Sequence, residues 1–226
     1  GLRSQEIYRL LGIAAATRER EEVLVGVEAE GMTACPCAQE LMRENAERRL
    51  TEEGIAAETI KKVLDIVPMP THNQCGRGRL LVSAHESIRA EDLAGIIEGA
   101  MSSETYEILK RPDEFLVVNR AHRNPKFVED VSRDILGRFV EAYPELPDET
   151  FVQVRQTNME TIHKHSVFAE RQGLLGDIRG EIAGKRPRQG QTSLAQWLDE
   201  RLNVPPPEGR ENPGSNHGGH GGTEKT

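Results

Sequence analysis

Over residues 23–30 the chain alternates. Val23, Val25, Val27 and Ala29 fall on one side, and Leu24, Gly26, Glu28 and Glu30 on the other. A period of two predicts a strand that ends just before Cys35. Over 39–67 the pattern turns helical: Ile60, Val63, Leu64 and Val67 keep the 3, 4, 7 spacing. Gly54 splits this stretch into two helices, and Pro68 and Pro70 end it. Residues 68–78 (PMPTHNQCGRG) read as an ordered polar loop. Leu80, Val82 and Ala84 then alternate with Leu81, Ser83 and His85, a second strand. Leu93, Ile96, Ile97, Ala100 and Met101 form the stripe of a third helical stretch. Asn124 followed by Pro125 marks a helix start, with a side-chain cap and a pre-set φ. Val128, Val131, Ile135 and Phe139 are its buried stripe, and 151–157 and 166–171 read as two more strands. The predicted order is strand, helical insertion, strand, two long helices, strand, strand.

The flanks read differently. The apolar run 10–16 is far too short to span a bilayer. Arg3 and Arg9 lend it the look of a signal peptide, yet Ile7, Leu10, Leu11 and Ala14 keep helical spacing and Glu6 interrupts the basic stretch. Residues 1–22 are therefore expected to hold an amphipathic helix, and the protein to be cytoplasmic. After Arg171, residues 172–203 are a Gly-rich basic linker in which Ser193 and Gln196 can form a capping box. That box would open a short helix carrying Leu194, Trp197, Leu198 and Leu202. Residues 204–226, rich in Pro, Gly, Asn and His, cannot bury enough apolar surface to offset their ordering entropy and are expected to be disordered. No repeat occurs at solenoid periods. The first residue is Gly1 rather than Met, so a processed chain or the C-terminal part of a longer one is expected.

Composition narrows the function classes. Among 226 residues, 29 Lys and Arg face 37 Asp and Glu, a net charge of -8, which leaves no broad basic surface for nucleic acid. Three cysteines are an odd count and make no disulfide framework. Cys35 and Cys37 stand too close along the chain for a good bridge to each other. They read equally as two small buried thiols at a strand end or as metal thiolates.

Three further segments could carry chemistry. The loop Thr71-His72-Asn73-Gln74 holds one titratable imidazole among donors and acceptors. It is a place for proton transfer or, more simply, a loop tied down by its own side chains. In Glu160-Thr161-Ile162-His163-Lys164-His165, a single helical turn would set Glu160 and His163 on one face, a carboxylate and an imidazole suited to a borderline divalent ion. The same segment reads as a solvated turn. Lys110-Arg111-Pro112-Asp113-Glu114 ends a helix and, as a charge run, faces solvent by default. Glu129 lies about 100° round the helix from Val128, on the flank of the apolar stripe. There it can point into a groove or pair with Arg133. His85 and His122 read as structural, and His217 and His220 sit in the tail without a rigid frame.

Taken together, GMTACPCAQ, PMPTHNQ, KRPDE, NPKFVEDVSRD and NMETIHKH, in this order, resemble the GTP cyclohydrolase IB family, and most of all its archaeal MptA-type branch. The likeness covers residues 23–171, and the long segment between Cys37 and His72 matches the helical insertion of that branch. The resemblance implies an α+β tunnelling fold (T-fold), with an antiparallel sheet, two long helices on one face and the insertion 39–67 after the first strand. Family chains carry two such units, and this sequence matches the second. The resemblance further implies Cys35, Glu114, Glu160 and His163 as metal ligands, His72 as the catalytic imidazole and Glu129 as the carboxylate that grips guanine. Where many relatives carry an arginine after HNQ, this chain has Cys75. Arg77, Lys110 and Arg111, with Arg79, are the cationic candidates for the triphosphate.

The implied reaction opens the imidazole ring of GTP. Water must add at C8, a poor electrophile until N7 is protonated. A divalent ion supplies hydroxide near neutral pH by lowering the pKa of its water, and the family implies Fe(II), one per subunit, with Zn or Mn as substitutes. An imidazole ordinarily titrates at ~6.5, near working pH, and the resemblance implies that His72 moves the N7 proton. Glu129 can accept from both N1–H and the exocyclic amine. The implied product is 7,8-dihydroneopterin 2′,3′-cyclic phosphate for methanopterin biosynthesis. The alternatives are the triphosphate, a non-catalytic purine-binding subunit and a closed structural metal site. The expected partners are GTP and further copies of the chain, as a homodimer or larger homo-oligomer, with neither nucleic acid nor membrane.

Overall fold

In the computed structural model, residues 8–18, 20–83, 87–185 and 191–203 are described. A five-stranded antiparallel sheet runs in sequence order, β1 (Tyr8–Ala16), β2 (Glu21–Ala34), β3 (Asn73–Ser83), β4 (Phe151–Met159) and β5 (Val167–Leu174). Between β2 and β3 the insertion forms α1 (Pro36–Glu52) and α2 (Ala57–Ile66), separated near Gly54, which adopts a positive φ. Between β3 and β4 lie α3 (Ala90–Ala100), α4 (Arg111–Arg123) and α5 (Val128–Ala142), and after β5 come α6 (Leu175–Ile182) and α7 (Leu194–Asn203).

The alternation of β2, β3 and β4 decides which face is covered. Val27, Ala29, Leu80, Val82, Val152 and Val154 point to one side, where α3 (Leu93, Ala94, Ile97) and α5 (Val131, Ile135, Phe139) bury them. Each large side chain fully buried there contributes roughly 1.5–3 kcal/mol. The other face is apolar at one end only. Leu24, Leu81 and Phe151 lie under Trp197 of α7, whose ring centroid is 5.4 Å from that of Phe151. The capping box that opens α7 is present: Ser193 N–H donates to Gln196 Oε1 (2.9 Å), and Gln196 N–H to Ser193 Oγ (3.2 Å).

Several expectations are corrected. Where a helix was expected in 1–22, Tyr8–Ala16 is an edge strand, paired from Tyr8↔Ala29 to Ala16↔Glu21. Leu11 and Ile13 join the cluster under Trp197, while Tyr8 packs on the opposite core. Only one face of the run is covered: Leu11, Ile13 and Ala15 are half-buried while Leu10, Gly12 and Ala14 are exposed, an alternation that a uniformly apolar run cannot reveal by period alone. The segment read as a loop over 68–78 is strand from Asn73 onward, because its glycines admit the helix layer. A Cβ on Gly78 would lie 2.4 Å from Ile97 Cγ2. Lys110–Glu114 begins a helix instead of ending one. Pro112 sits in the first turn of α4, and Asp113 Oδ2 accepts from Lys110 N–H (3.1 Å). Three helices, not two, therefore separate β3 from β4. Helix α5 starts at Val128 rather than at Asn124-Pro125, with Asp130 Oδ2 accepting from Phe127 N–H (3.1 Å). Part of the expected linker is helix α6, held by buried Leu175 and Ile178. His85, Arg186, Arg188 and the tail 204–226 lie outside the described residues. Among the described residues no helix is long and apolar enough to cross a membrane.

Candidate active site

Antiparallel pairing brings the end of β2, the start of β3, the end of β4 and the start of β5 to one end of the sheet (Ala34↔Asn73, Cys75↔Met159, Asn158↔Val167). The chemistry gathers there. Cys35 is the N-cap residue of α1, and its side chain makes no capping bond, which leaves the half-buried thiol available. Its backbone is tied to the imidazole loop: Cys35 N–H donates to His72 O (3.1 Å), and Thr71 Oγ1 donates to Cys35 O (2.7 Å).

The bend that joins β4 to β5 folds over that loop. Thr161 Oγ1 donates to Asn73 O (3.0 Å). Glu160 Oε2 stands 3.8 Å from His72 Nδ1, with the two side chains only 8% and 12% exposed. That separation is beyond a hydrogen bond, and His72 Nδ1 is buried without a partner. The His163 ring approaches the His72 ring edge-on, centroids 6.4 Å apart, and His165 stacks on His163 at 5.4 Å. Glu160 and His163 are thus brought together by an irregular bend, not by a helical turn. Below them the helix-facing side of the sheet turns polar. Thr33, Gln74, Gln156 and Asn158 are buried, with Gln156 Nε2 donating to Asn158 Oδ1 (2.9 Å).

His72, Glu160, His163 and the backbone of Cys35 come together. Other candidates do not. Glu114 is exposed in the first turn of α4, whose opposite end reaches the site through His122, with Nε2 3.3 Å from Thr71 O. Eight residues of helix separate Glu114 from His122 by about 12 Å. Among the described residues no three His, Cys, Asp or Glu side chains close on one ion-sized space. Glu129, in the first turn of α5, lines a cleft of about 410 Å³ with Ser132, Leu136, Ala169 and Ile178. Arg77 is engaged on the sheet face opposite α3 and α5, with Nε and Nη2 donating to Glu30 Oε1 (3.0 and 2.7 Å); this carboxylate pushes the arginine's pKa up. Lys110 and Arg111 are exposed at the start of α4, the end opposite His122 and its contact with Thr71. Cys75 faces the same side as Arg77, between Met32 and Met159 on the neighbouring strands. Burial, then the charge of Glu30, pushes its thiol up, so it is a poor thiolate.

The supporting residues escaped sequence reasoning. Gln39 Nε2 donates to Met69 O (3.1 Å) and His122 O (2.6 Å), hanging the insertion on the stretch before Thr71. Asn124, read as a cap, donates to Met101 O and Ser102 O (3.3 Å each). Only their place inside or beside the quoted motifs hinted at such roles.

The family described as "Type I GTP cyclohydrolase folE2" matches residues 1–169, nearly the whole of the sheet and all the side chains gathered at its end. The chain belongs to this family. Among curated proteins it resembles "GTP cyclohydrolase MptA" of Methanosarcina barkeri, 46% identical over 191 residues (80% of this chain, 60% of the relative). The relative of the same description in Methanococcoides burtonii is 48% identical over 188 residues (80% and 59%). That of Methanothermobacter thermautotrophicus is 47% identical over 186 residues (80% and 58%). The chain therefore spans about three-fifths of the length of these curated relatives.

Proposed function

We propose that this chain carries the active-site half of a metal-dependent GTP cyclohydrolase, built on a tunnelling fold. Its reaction opens the guanine imidazole ring with water, releases C8 as formate and, with diphosphate as the leaving group, yields 7,8-dihydroneopterin 2′,3′-cyclic phosphate for methanopterin biosynthesis. The single observation that carries this reading is the buried, unpartnered Nδ1 of His72, facing Glu160 and flanked by His163 beside Cys35. An orphaned imidazole nitrogen is costly unless a ligand or a proton acceptor completes it. The relatives' description as GTP cyclohydrolase MptA supports GTP as the substrate.

The donor set of one thiol, a carboxylate and imidazoles suits a borderline divalent cation. Cys35, Glu160 and His163 would hold Fe(II), with Zn or Mn as substitutes, and the ion would supply Lewis acidity and a nucleophile at neutral pH. Glu114 would reach that ion from a second copy of the chain. The exposed apolar side chains beside it on α4, Phe115 (66%), Leu116 and Val118, favour such a homo-oligomer. His72 delivers a proton to N7 of guanine, which makes C8 electrophilic, and then takes up the proton that the water loses as it adds at C8. Glu129 accepts from N1–H and the 2-amino group, a pairing that adenine cannot offer. The cleft that Glu129 lines has room for a base.

A second reading is a purine-binding subunit without catalysis, favoured by the distance of Glu114 from the other donors within one chain. Anaerobic incubation of the Fe(II)-loaded protein with GTP, read by mass spectrometry and formate assay, separates the two. Formate and the cyclic phosphate in equal amounts are expected. GTP bound but recovered intact would sink the catalytic reading, and dihydroneopterin triphosphate would replace the product.

A further inference from the structure

Among the described residues β1 pairs with β2 from Glu21 to Ala29, and β2 continues to Ala34, immediately before Cys35. At Met32 and Ala34 the edge of β2 turned away from β3 is bonded by two loops. Met32 and Ser103 exchange both backbone bonds (2.8 and 3.1 Å). Ala34 N–H donates to Ser102 Oγ (3.1 Å), and Ala34 O accepts from Lys126 N–H (3.0 Å). Both loops converge on one side chain. The Lys126 ammonium, only 16% exposed, donates to Ala100 O at the last turn of α3 (2.8 Å) and to Asp134 Oδ2 of α5 (2.6 Å). Asp134 is held in turn by Arg138 Nε (3.0 Å).

We propose that Lys126 is a positioning residue for Cys35: its ammonium, locked between the C-terminal end of α3 and Asp134, fixes the two loops that clamp Ala34 and so aims the adjacent thiol into the site. The inference rests on the reading of Cys35 as a metal ligand. A cation at the end of a helix is favoured by the exposed carbonyls there, but a lysine this buried gives up solvation and rotamer freedom. A surface cap of α3 would need neither the burial nor the bond from Lys126 N–H to Ala34. Among the described residues the Cys35 backbone is otherwise bonded from the β3 side, through His72 O and Thr71 Oγ1. With the clamp in place its backbone is held from both sides, as a ligand needs to be when its position sets metal geometry.

Two measurements on the whole chain test this, using Lys126→Met and Asp134→Asn. In the metal-free protein, amide hydrogen exchange at Ala34 and Cys35 should accelerate at least about tenfold in Lys126→Met and less in Asp134→Asn, with Val82 unchanged. In the cobalt-loaded protein, the thiolate-to-cobalt charge-transfer absorption should weaken, and cobalt affinity should fall about 10–100-fold. If Lys126→Met does not fold, Asp134→Asn carries both measurements. Unchanged exchange at Ala34 in the folded variants overturns the clamp, whatever the cobalt spectrum does. Accelerated exchange with an unchanged cobalt spectrum and affinity reduces Lys126 to a stability role and overturns the proposal. A parent protein with no thiolate band at all overturns the ligand reading of Cys35 and, with it, the purpose of the clamp.

Discussion

The close approach of α3 to β3 makes a quantitative prediction at Gly78. Replacement by alanine places a Cβ 2.4 Å from Ile97 Cγ2 and 3.3 Å from Met101 Cε. Ordinary carbon contacts are about 3.5–4.0 Å, so Ile97 must retreat by roughly 1 Å from a position where it is fully buried. Overpacking of this kind costs about 1–3 kcal/mol. The φ of Gly78 lies outside the left-handed region, so alanine loses nothing there, and the stiffer unfolded chain returns about 0.4–1 kcal/mol. The net expectation is a loss of about 1–2 kcal/mol, read as a lower urea midpoint with unchanged slope. Ile97→Ala removes the obstructing methyl, so Gly78→Ala should cost much less in that background, a coupling of at least about 1 kcal/mol. Gly95, exposed in the same helix with nothing within 4 Å of its added Cβ, is the control. Gly95→Ala should stabilise by about 0.4–1 kcal/mol. A Gly78→Ala protein as stable as the parent, or the same penalty with and without Ile97, would refute the close approach.

Three other outcomes are expected. His72→Asn should reduce formate release from GTP about 10²–10⁴-fold while leaving metal content unchanged; retained turnover would remove His72 from proton transfer. Trp197→Ala should cost about 3–5 kcal/mol, because its ring is the lid on Leu24, Leu81 and Phe151. A loss below about 1 kcal/mol in a urea titration would mean that α7 does not cover that end of the sheet. Burial, then the Glu30 carboxylate, pushes the Cys75 thiol up from the ordinary cysteine range. Its alkylation by iodoacetamide should therefore titrate at higher pH than that of a free cysteine peptide, and Glu30→Gln, which removes a negative charge, should speed it at a given pH. Mass spectrometry of the modified peptide reads the rate, and a midpoint at or below that of the free peptide would contradict the shift.

The elements with a strong period were legible before any coordinates. The alternation of 23–30 is the middle of β2, the stripe from Val128 to Phe139 is the buried face of α5, and the Ser193 and Gln196 box opens α7. Each is decided locally, by which side chains share a face and which groups cap the first turn. The THNQ loop and the segment around His163 also stood out, because an imidazole among fixed polar groups is recognisable by residue type alone. Period failed where the burying partner is distant in sequence. Residues 10–16 carry a spacing that suits a helix, but β2 offers a free edge and α7 a cover, and the run becomes β1. Glycine misled in the same way at Gly76 and Gly78, read as loop, where it lets Met101 and Ile97 rest on the strand.

The sequence by itself determined which residue types are available, a thiol, imidazoles and carboxylates, and which short stretches are strand or helix, because those properties depend on near neighbours. Only the tertiary structure decided which of these groups meet. It set His72 beside Glu160 and His163, left Glu114 at the far end of α4, and engaged Arg77 with Glu30. It also enclosed Lys126 between α3 and α5, two helices that meet only when the sheet beneath them has formed. Hydrogen bonds and ion pairs form between whichever groups the packed layers bring within about 3 Å, and that proximity is a property of the whole fold.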